Sequence, residues 1–257
     1  MNEKIDPQKI DEPFREISRE EVEIELQQRL DVHKKQKKRK IQKRAVWLLV
    51  MLIVAFGPRL VLKTINTEKV DSLELIPEPK QVATSGSTTI SRFGLEATLE
   101  YVATYELAGR VVGTFDYYPL VSNQDKLSPT DVSVVWDILS DKKMDKGIRW
   151  NLTGRRVLRS RLINPEFWQE TGVDWSMIGT KVSNNHLIPI DPYITMLMRS
   201  IRKGDFVRIE GYLVNVHYHD GTGSWYTSTT RTDEGYTFDG KGSCETIYVT
   251  DIVWLKE

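Results

Sequence analysis

The single cysteine and a distant histidine are the residues of this chain that could form a nucleophilic site. A histidine can accept the proton of a thiol, and the resulting thiolate is a strong nucleophile. Cys244 and His186 are therefore candidate catalytic residues of a hydrolase. Against this, a lone cysteine that enters an apolar strand is more often a small apolar side chain, and only Lys241 supplies a positive charge nearby. The pattern favours a protein that is not an enzyme.

Two histidines separated by one residue form a candidate metal site. His217 and His219 lie on a predicted strand, so both side chains point to one face, and Asp220 or Asp233 could complete the ligand set. Histidines at the tip of a hairpin are, however, more often solvated. The chain has no glycine loop for a phosphate, no nucleophile elbow and no HExxH string, so no cofactor is predicted.

A polar run after these histidines predicts a surface for a ligand or partner. Strand alternation places an aromatic ring, two hydroxyl groups and a guanidinium on one face, with a carboxylate beyond them. These residues are Trp225, Thr227, Thr229, Arg231 and Asp233. Such groups suit a carbohydrate, a phosphate or a peptide carboxylate. The alternative is an edge strand that its polar residues protect from aggregation, with Arg231 and Asp233 as an ion pair.

The chain that must position these residues has 257 residues, of which 36 are basic and 36 acidic. This length suits one domain with appendages, and a hydrophobic content of 40% can form a core, so a wholly disordered chain is excluded. The balanced charge argues against a protein whose main task is to bind nucleic acid. A single cysteine excludes an intramolecular disulfide framework and zinc sites with two or four cysteines.

The most informative segment is an apolar run that follows a basic block. Residues 34–44 contain eight basic residues and no acidic one, and the next apolar stretch is interrupted only at Arg59. The pattern predicts a transmembrane helix over residues 45–62, roughly 27 Å long and close to a hydrocarbon core of about 30 Å. A buried soluble helix and a cleaved signal peptide are the alternatives.

The basic block also predicts the orientation in the membrane. Lysine and arginine next to a span stay on the cytoplasmic side, so residues 1–44 form a cytoplasmic arm and the chain after the span is periplasmic. The predicted location is therefore a bacterial inner membrane, with membrane lipid as one partner. Binding of nucleic acid by the basic block is not expected.

Two segments flank the predicted span. In the arm, Ser18 and Glu21 fit a capping box, and a narrow apolar stripe predicts an amphipathic helix that could self-associate or bind a partner helix. On the other side, residues 63–90 lack periodicity and are rich in Pro, Ser and Thr, which predicts a linker.

The remaining residues, 91–257, predict one α+β domain with several short helices. Helix signals, each a capping residue followed by proline, begin at Ser128, Asn164 and Asp191. Strand signals cover residues 106–118, 205–218, 225–230 and 245–255. A register break near Gly211 predicts a β-bulge, and residues 220–223 predict a hairpin turn.

Parts of this domain resemble known proteins in two ways. The string GDFVRIEGYLV at residues 204–214, after a helix and before a closing apolar strand, resembles the later part of a small OB-type β-barrel. The ordered strings LSPTD, HLIP, GDFVRIEGYLV, TSTTRTDEG and GSCETIYV resemble an uncharacterised family of single-pass bacterial envelope proteins over about Tyr105 to Val253. That resemblance implies a membrane anchor and an extracytoplasmic β-rich domain, and it supplies no catalytic residue.

Together these patterns predict a single-pass inner-membrane protein whose OB-like periplasmic domain binds an envelope protein or a ligand in an accessory or structural role. The alternative prediction is an envelope hydrolase that uses Cys244 and His186, or a metal ion held by His217 and His219.

Overall fold

A computed structural model describes residues 37–38, 40–48, 51, 57–117, 122–153, 157–227 and 244–257. The chain divides into two compact units, Met1–Pro58 and Arg59–Glu257. In the first unit, the described residues 37–38, 40–48 and 51 are helical. The second unit is α+β with a sheet-rich body, which confirms that part of the predicted fold class.

The helices and strands follow one another along the chain. They are α1 (residues 57–65), β1 (Thr67–Lys69), β2 (Lys80–Ala83), β3 (Ser87–Arg92), β4 (Leu95–Asp116), α2 (Asn123–Leu127), β5 (Thr130–Val135), β6 (Ile148–Thr153), β7 (Val157–Leu162), α3 (Pro165–Thr171), α4 (Trp175–Thr180), β8 (Val182–Pro189), α5 (Pro192–Ser200), β9 (Phe206–Tyr218), β10 (Ser224–Trp225) and β11 (Cys244–Lys256). Two short 3₁₀ helices, Ile138–Ser140 and Lys142–Lys146, lie between β5 and β6.

Five of these strands pair in a closed ring. β5 lies between β4 and β8 and is antiparallel to both, while β9 is antiparallel to β4 and β11. The parallel pair of β8 and β11 completes the ring. Strands β1, β2, β3 and β10 extend the sheet from ring strands, and β6 and β7 form a separate two-stranded sheet.

The largest core cluster is built from ring strands whose apolar residues alternate. In β9, for example, Val207, Ile209 and Leu213 are fully buried in this cluster. Helix α5 covers the cluster with one apolar face that includes Leu197 and Met198. The helix begins where the Asp191 side chain accepts a hydrogen bond from a backbone N–H, so the sequence prediction for α5 is confirmed.

Bulges bend the long strands around the ring. In β4 the pairing register shifts at Val102 and at Val112, which lets one strand of 22 residues serve two parts of the sheet. The predicted bulge near Gly211 is present, but the extra residue is Thr250 of β11 rather than a residue of β9. A Cβ atom on Gly211 would lie 2.1 Å from the carbonyl oxygen of Tyr248, so the two strands approach closely because this position is glycine.

The helix predicted to begin at Ser128 is wrong, because the structure has a strand there. Ser128 instead ends α2, where its N–H donates to the carbonyl oxygen of Gln124 at 2.7 Å. Every residue of Thr130–Val135 is buried between β4 and β8. Four of the six are β-branched, and burial on both faces of a sheet outweighs a local capping signal.

The segment predicted as a linker contributes β1, β2 and most of β3. These strands pair with β11 and β4, and their register comes from partners distant in sequence. The third predicted strand, at residues 225–230, begins as the two-residue strand β10 after the predicted turn, and its last three residues lie outside the described residues. Helix α3, by contrast, lies between Asn164 and Gly172 as its capping signals predict.

Helix α1 overlaps the end of the predicted membrane span. Arg59 donates to the carbonyl oxygen of Ser200 at 2.9 Å, and Leu62 packs against the largest core cluster, so this end of the predicted span contacts the domain. Among the described residues, no helix is both long enough and apolar enough to cross a membrane. Residues 49–50 and 52–56 of the predicted span lie outside them, so the transmembrane helix stays a prediction.

Substitution of Gly211 by alanine should destabilise the domain. The new Cβ would collide with backbone atoms of β11, which cannot rotate away as a side chain can, so we expect a loss of about 2–3 kcal/mol in the free energy of unfolding. Gly94→Ala is the matched control: its Cβ would meet no atom within 4 Å, and only its positive φ of 74° opposes the change. Urea unfolding of the purified chain measures both, and an equal loss in the two variants would contradict the close approach.

Candidate functional site

Three neighbouring strands bring the polar residues of the site together. On β5 and β8, Asp131 lies directly opposite His186, and His186 in turn lies opposite Thr246 of β11. Cys244, two residues before Thr246, lies opposite Asn184. Because directly paired residues, and residues two apart on one strand, point to the same face, the side chains of all five share one face of the sheet.

The Asp131 carboxylate holds the ring of His186. The Nδ1 atom of His186 lies 2.9 Å from Oδ1 of Asp131, and both side chains are buried. The hydroxyl of Tyr117 donates to the other carboxylate oxygen, Oδ2, at 2.8 Å. Cys244 also acts on the imidazole and contributes to raising the pKa of His186. A thiol, an imidazole and a carboxylate thus lie on one face of three neighbouring strands.

Two opposing effects set the protonation of His186. Burial lowers the pKa of this imidazole, but the charge and hydrogen bond of Asp131, together with the contact from Cys244, outweigh burial and raise the pKa above its ordinary value. The site therefore favours a protonated histidine, on the same face of the sheet as the sulfur. Cys244 is partly exposed.

The predicted ligand surface is described only in its first part. The Trp225 ring lies 5.1 Å from the His186 ring, centroid to centroid, so this tryptophan covers the catalytic candidate. Thr227 is buried, and its hydroxyl donates to Glu245 at 3.3 Å and accepts a hydrogen bond from the backbone N–H of Thr246. The other three predicted residues, Thr229, Arg231 and Asp233, lie outside the described residues.

Glu245, the residue that follows Cys244 in the chain, is a buried acid. Only 1% of its surface is exposed. Burial raises its pKa to about 8, against the opposing effects of the Thr227 hydrogen bond and the His186 charge. The folded chain therefore holds this carboxyl group in its neutral form at neutral pH.

Asn184 completes the polar row next to the sulfur. Its amide nitrogen Nδ2 lies 4.0 Å from Sγ of Cys244. Its amide oxygen accepts a hydrogen bond of 2.9 Å from the hydroxyl of Ser133, and both residues are almost completely buried.

The two histidines of the predicted metal site interact with glutamates of β4. His217 Nε2 lies 3.2 Å from a carboxylate oxygen of Glu100, and His219 Nδ1 lies 3.4 Å from one of Glu96. The predicted third ligand Asp220 instead accepts hydrogen bonds from Asn123 and Thr222. Within the part of the chain that the structure describes, no group of three or more His, Cys, Asp or Glu side chains is placed to hold a metal ion.

Residue types in the sequence identify two members of the site and miss four. Cys244 and His186 are identified in this way, whereas the helix predicted from Ser128 places Asp131 in its first turn. The buried side chains that share a face with this pair and are missed are Ser133, Asn184, Thr246 and Asp131. The β-branched residues that alternate with Asp131 and Ser133 in TDVSVV are a strand signal, and this signal could have placed both on one face.

Comparison of the chain with protein-family models, curated proteins and solved structures found no match in any of the three. The resemblance to an envelope protein family therefore stays a prediction.

Replacement of Glu245 by glutamine should change how stability depends on pH. The folded chain keeps a proton on Glu245 up to a pH of about 8, whereas in the unfolded chain the group has its ordinary pKa of 4.5. Between these two pH values the folded chain binds more protons at Glu245 than the unfolded chain does. The contribution of Glu245 to the free energy of unfolding therefore falls as pH rises, by up to about 1.4 kcal/mol per pH unit. Glu245→Gln should remove this fall in the free energy of unfolding, because glutamine does not titrate.

Urea unfolding of the purified chain at several pH values between about 5 and 8 measures the effect. The control is Glu166→Gln, which changes an exposed glutamate and should retain the pH slope of the unmodified chain. Equal slopes for Glu245→Gln and the unmodified chain would contradict a proton held on Glu245.

Proposed function

We propose that the domain is a thiol-dependent hydrolase in which Cys244 is the nucleophile, His186 the general base and Asp131 the residue that orients the base. The observation that carries this proposal is a row of three side chains on neighbouring strands. His186 bonds to Asp131 at 2.9 Å, and Cys244 lies on the same face, two residues before the strand partner of His186. This geometry favours the enzyme over the non-catalytic protein that sequence patterns alone favoured.

The contacts assign a role to each group in the reaction. With Nδ1 of His186 held by Asp131, Nε2 is the ring nitrogen that can take the proton of the thiol. The thiolate attacks an electrophilic carbon of the substrate, and the histidine returns its proton to the leaving group. Water, deprotonated by the same histidine, then releases the bound product and restores the thiol.

Burial of the pair supports a catalytic role. Asp131 is fully buried and His186 is 3% exposed, so both groups lose most of their hydration. Charged groups removed from water lower stability by several kcal/mol unless partners compensate, and apolar residues at such positions are often at least as stable. Packing alone therefore does not account for an acid, an imidazole and a thiol in one row, whereas a catalytic site requires them.

Binding of a ligand without covalent chemistry is the second candidate. The closed ring of five strands supports an OB-like barrel, a fold in which the face of the second and third strands and the adjoining loops bind ligands. Here these strands are β5 and β8, and Trp225 lies over His186 on their outer face. The residues Trp225, Thr227, Thr229, Arg231 and Asp233 would then bind an envelope protein or a small ligand.

The same proposal includes the location of the chain. The basic block at residues 34–44 and the apolar run after it support a single-pass anchor in a bacterial inner membrane, with residues 1–44 in the cytoplasm and the domain in the periplasm. The reaction would then take place in the envelope.

The nucleophile is tested with p-nitrophenyl acetate, a general acyl donor, and the purified full-length chain. We expect release of p-nitrophenolate and an acetyl group on Cys244, detected by intact-protein mass spectrometry, because this is the only cysteine of the chain. Cys244→Ala should abolish both signals. His186→Asn should slow acetylation by about 10²–10⁴-fold, the usual effect of losing a general base.

The control for this assay is glutathione, whose thiol has no histidine beside it. Acetylation of Cys244 no faster than that of glutathione, or an equal signal from Cys244→Ala, would contradict the enzyme. If Trp225→Ala then abolished capture of an envelope component that Cys244→Ala still binds, the second candidate would be favoured.

The orientation is tested with a reporter enzyme that is active only outside the cytoplasm. Fused after Glu257 it should be active, and fused after Arg44, on the other side of the predicted span, it should be inactive. The reverse result would overturn the predicted topology.

A further inference from the structure

We infer that the side-chain amide of Asn184 is an oxyanion donor, and that the substrates of the Cys244 site are acyl compounds with a carbonyl group, such as esters, thioesters or amides. This inference rests on the proposed nucleophilic role of Cys244. It adds a catalytic residue and a substrate class to that role.

The Asn184 amide lies close to the sulfur of Cys244. When a thiolate adds to a carbonyl carbon, the carbon–sulfur bond forms and the π electrons of the C=O bond move to oxygen, which becomes an oxyanion next to the sulfur. A useful donor lies about 2.7–3.1 Å from that oxyanion rather than from the sulfur itself. Nδ2 of Asn184 donates to Sγ at 4.0 Å, so an oxygen on a carbon bound to that sulfur can lie to one side of the Nδ2–Sγ line and within reach of the same amide N–H.

A hydrogen bond from Ser133 fixes the orientation of the Asn184 amide. Ser133 donates to Oδ1 of Asn184 at 2.9 Å, so the amide is held with its oxygen toward β5 and its N–H groups toward Cys244. Ser133, Asn184 and Cys244 occupy paired positions on three adjacent strands, and the first two are almost completely buried. A donor fixed in this way needs no reorganisation when charge develops, which is the property that makes oxyanion donors effective.

The chemical character of the donor indicates the substrate class. Asn184 supplies a neutral amide N–H beside a single nucleophilic atom, an arrangement that suits one oxygen on which negative charge appears during addition. The reaction returns this charge when the C=O bond re-forms and the leaving group departs with the proton from His186. The thiol is regenerated when water attacks the acyl group on sulfur.

Two reagents distinguish this role from a structural one. Acetylation by p-nitrophenyl acetate passes through an oxyanion, whereas alkylation by iodoacetamide displaces iodide at carbon and forms none. Asn184→Ala should lower the acetylation rate constant of Cys244 by about 10²–10³-fold, the usual effect of one oxyanion donor. Its alkylation rate constant should change less than about threefold, since the thiol and its histidine remain. Asn215→Ala, which removes a distant amide on β9, is the matched control and should change neither rate.

A second variant keeps the test valid if Asn184→Ala does not fold, as judged by circular dichroism. Ser133→Ala retains the amide but releases its orientation, so acetylation should slow by about five- to tenfold while alkylation is unchanged. An equal loss in both reactions, or no loss in acetylation, would overturn the role of Asn184 and leave the nucleophile intact. If Cys244 of the unmodified chain reacts no faster than glutathione with either reagent, the proposed function itself is wrong.

Discussion

The parallel pairing of β8 with β11 is the constraint on which the rest of the domain depends. It places the last strand of the chain between β8 and β9, and the ring of five strands closes only through this position. The same pairing sets Cys244 opposite Asn184 and Thr246 opposite His186. Because side chains alternate along a strand, a shift of one residue would turn Cys244 to the other face and separate it from the histidine. Closure of the ring and assembly of the site therefore depend on the same strand pairing.

The faces of these strands serve different purposes. One face of the ring strands carries the apolar residues of the largest core cluster, including Val132, Leu187 and Ile247. The opposite face, one residue away along each strand, carries Asp131, His186 and Thr246. Alternation thus lets a rigid apolar core fix the backbone directly beneath the polar row, which gives its members defined positions without a dedicated loop.

The parts of the fold that could be predicted from sequence are those with local causes. Helices α3 and α5 lie where Asn164 and Asp191 cap them, because a capping hydrogen bond joins residues two or three apart. The β5 segment has an equally plausible local signal at Ser128, yet it forms a strand because it is buried between two others. Because a helix is predicted there, the prediction places Asp131 in a helical turn and not on a strand opposite His186. Residue types alone could name Cys244 and His186, but their contact depends on a pairing between strands far apart in the chain, which no local pattern encodes.

The attachment of α1 and β1 has a consequence for where the chain can be cut. Lys63 of α1 pairs with Asp205 at 2.5 Å and lies over the ring of Trp254, and β1 pairs with the final strand. The folded unit thus begins near residue 59, well before the boundary at residue 91 that composition indicated. A protease that cleaved just before α1 would release a domain with all its strands, whereas cleavage within residues 70–79 would leave Trp254 and the edge of β11 uncovered. The cut that keeps the sheet whole and the cut that uncovers its edge are thus separated by about one helix and one strand.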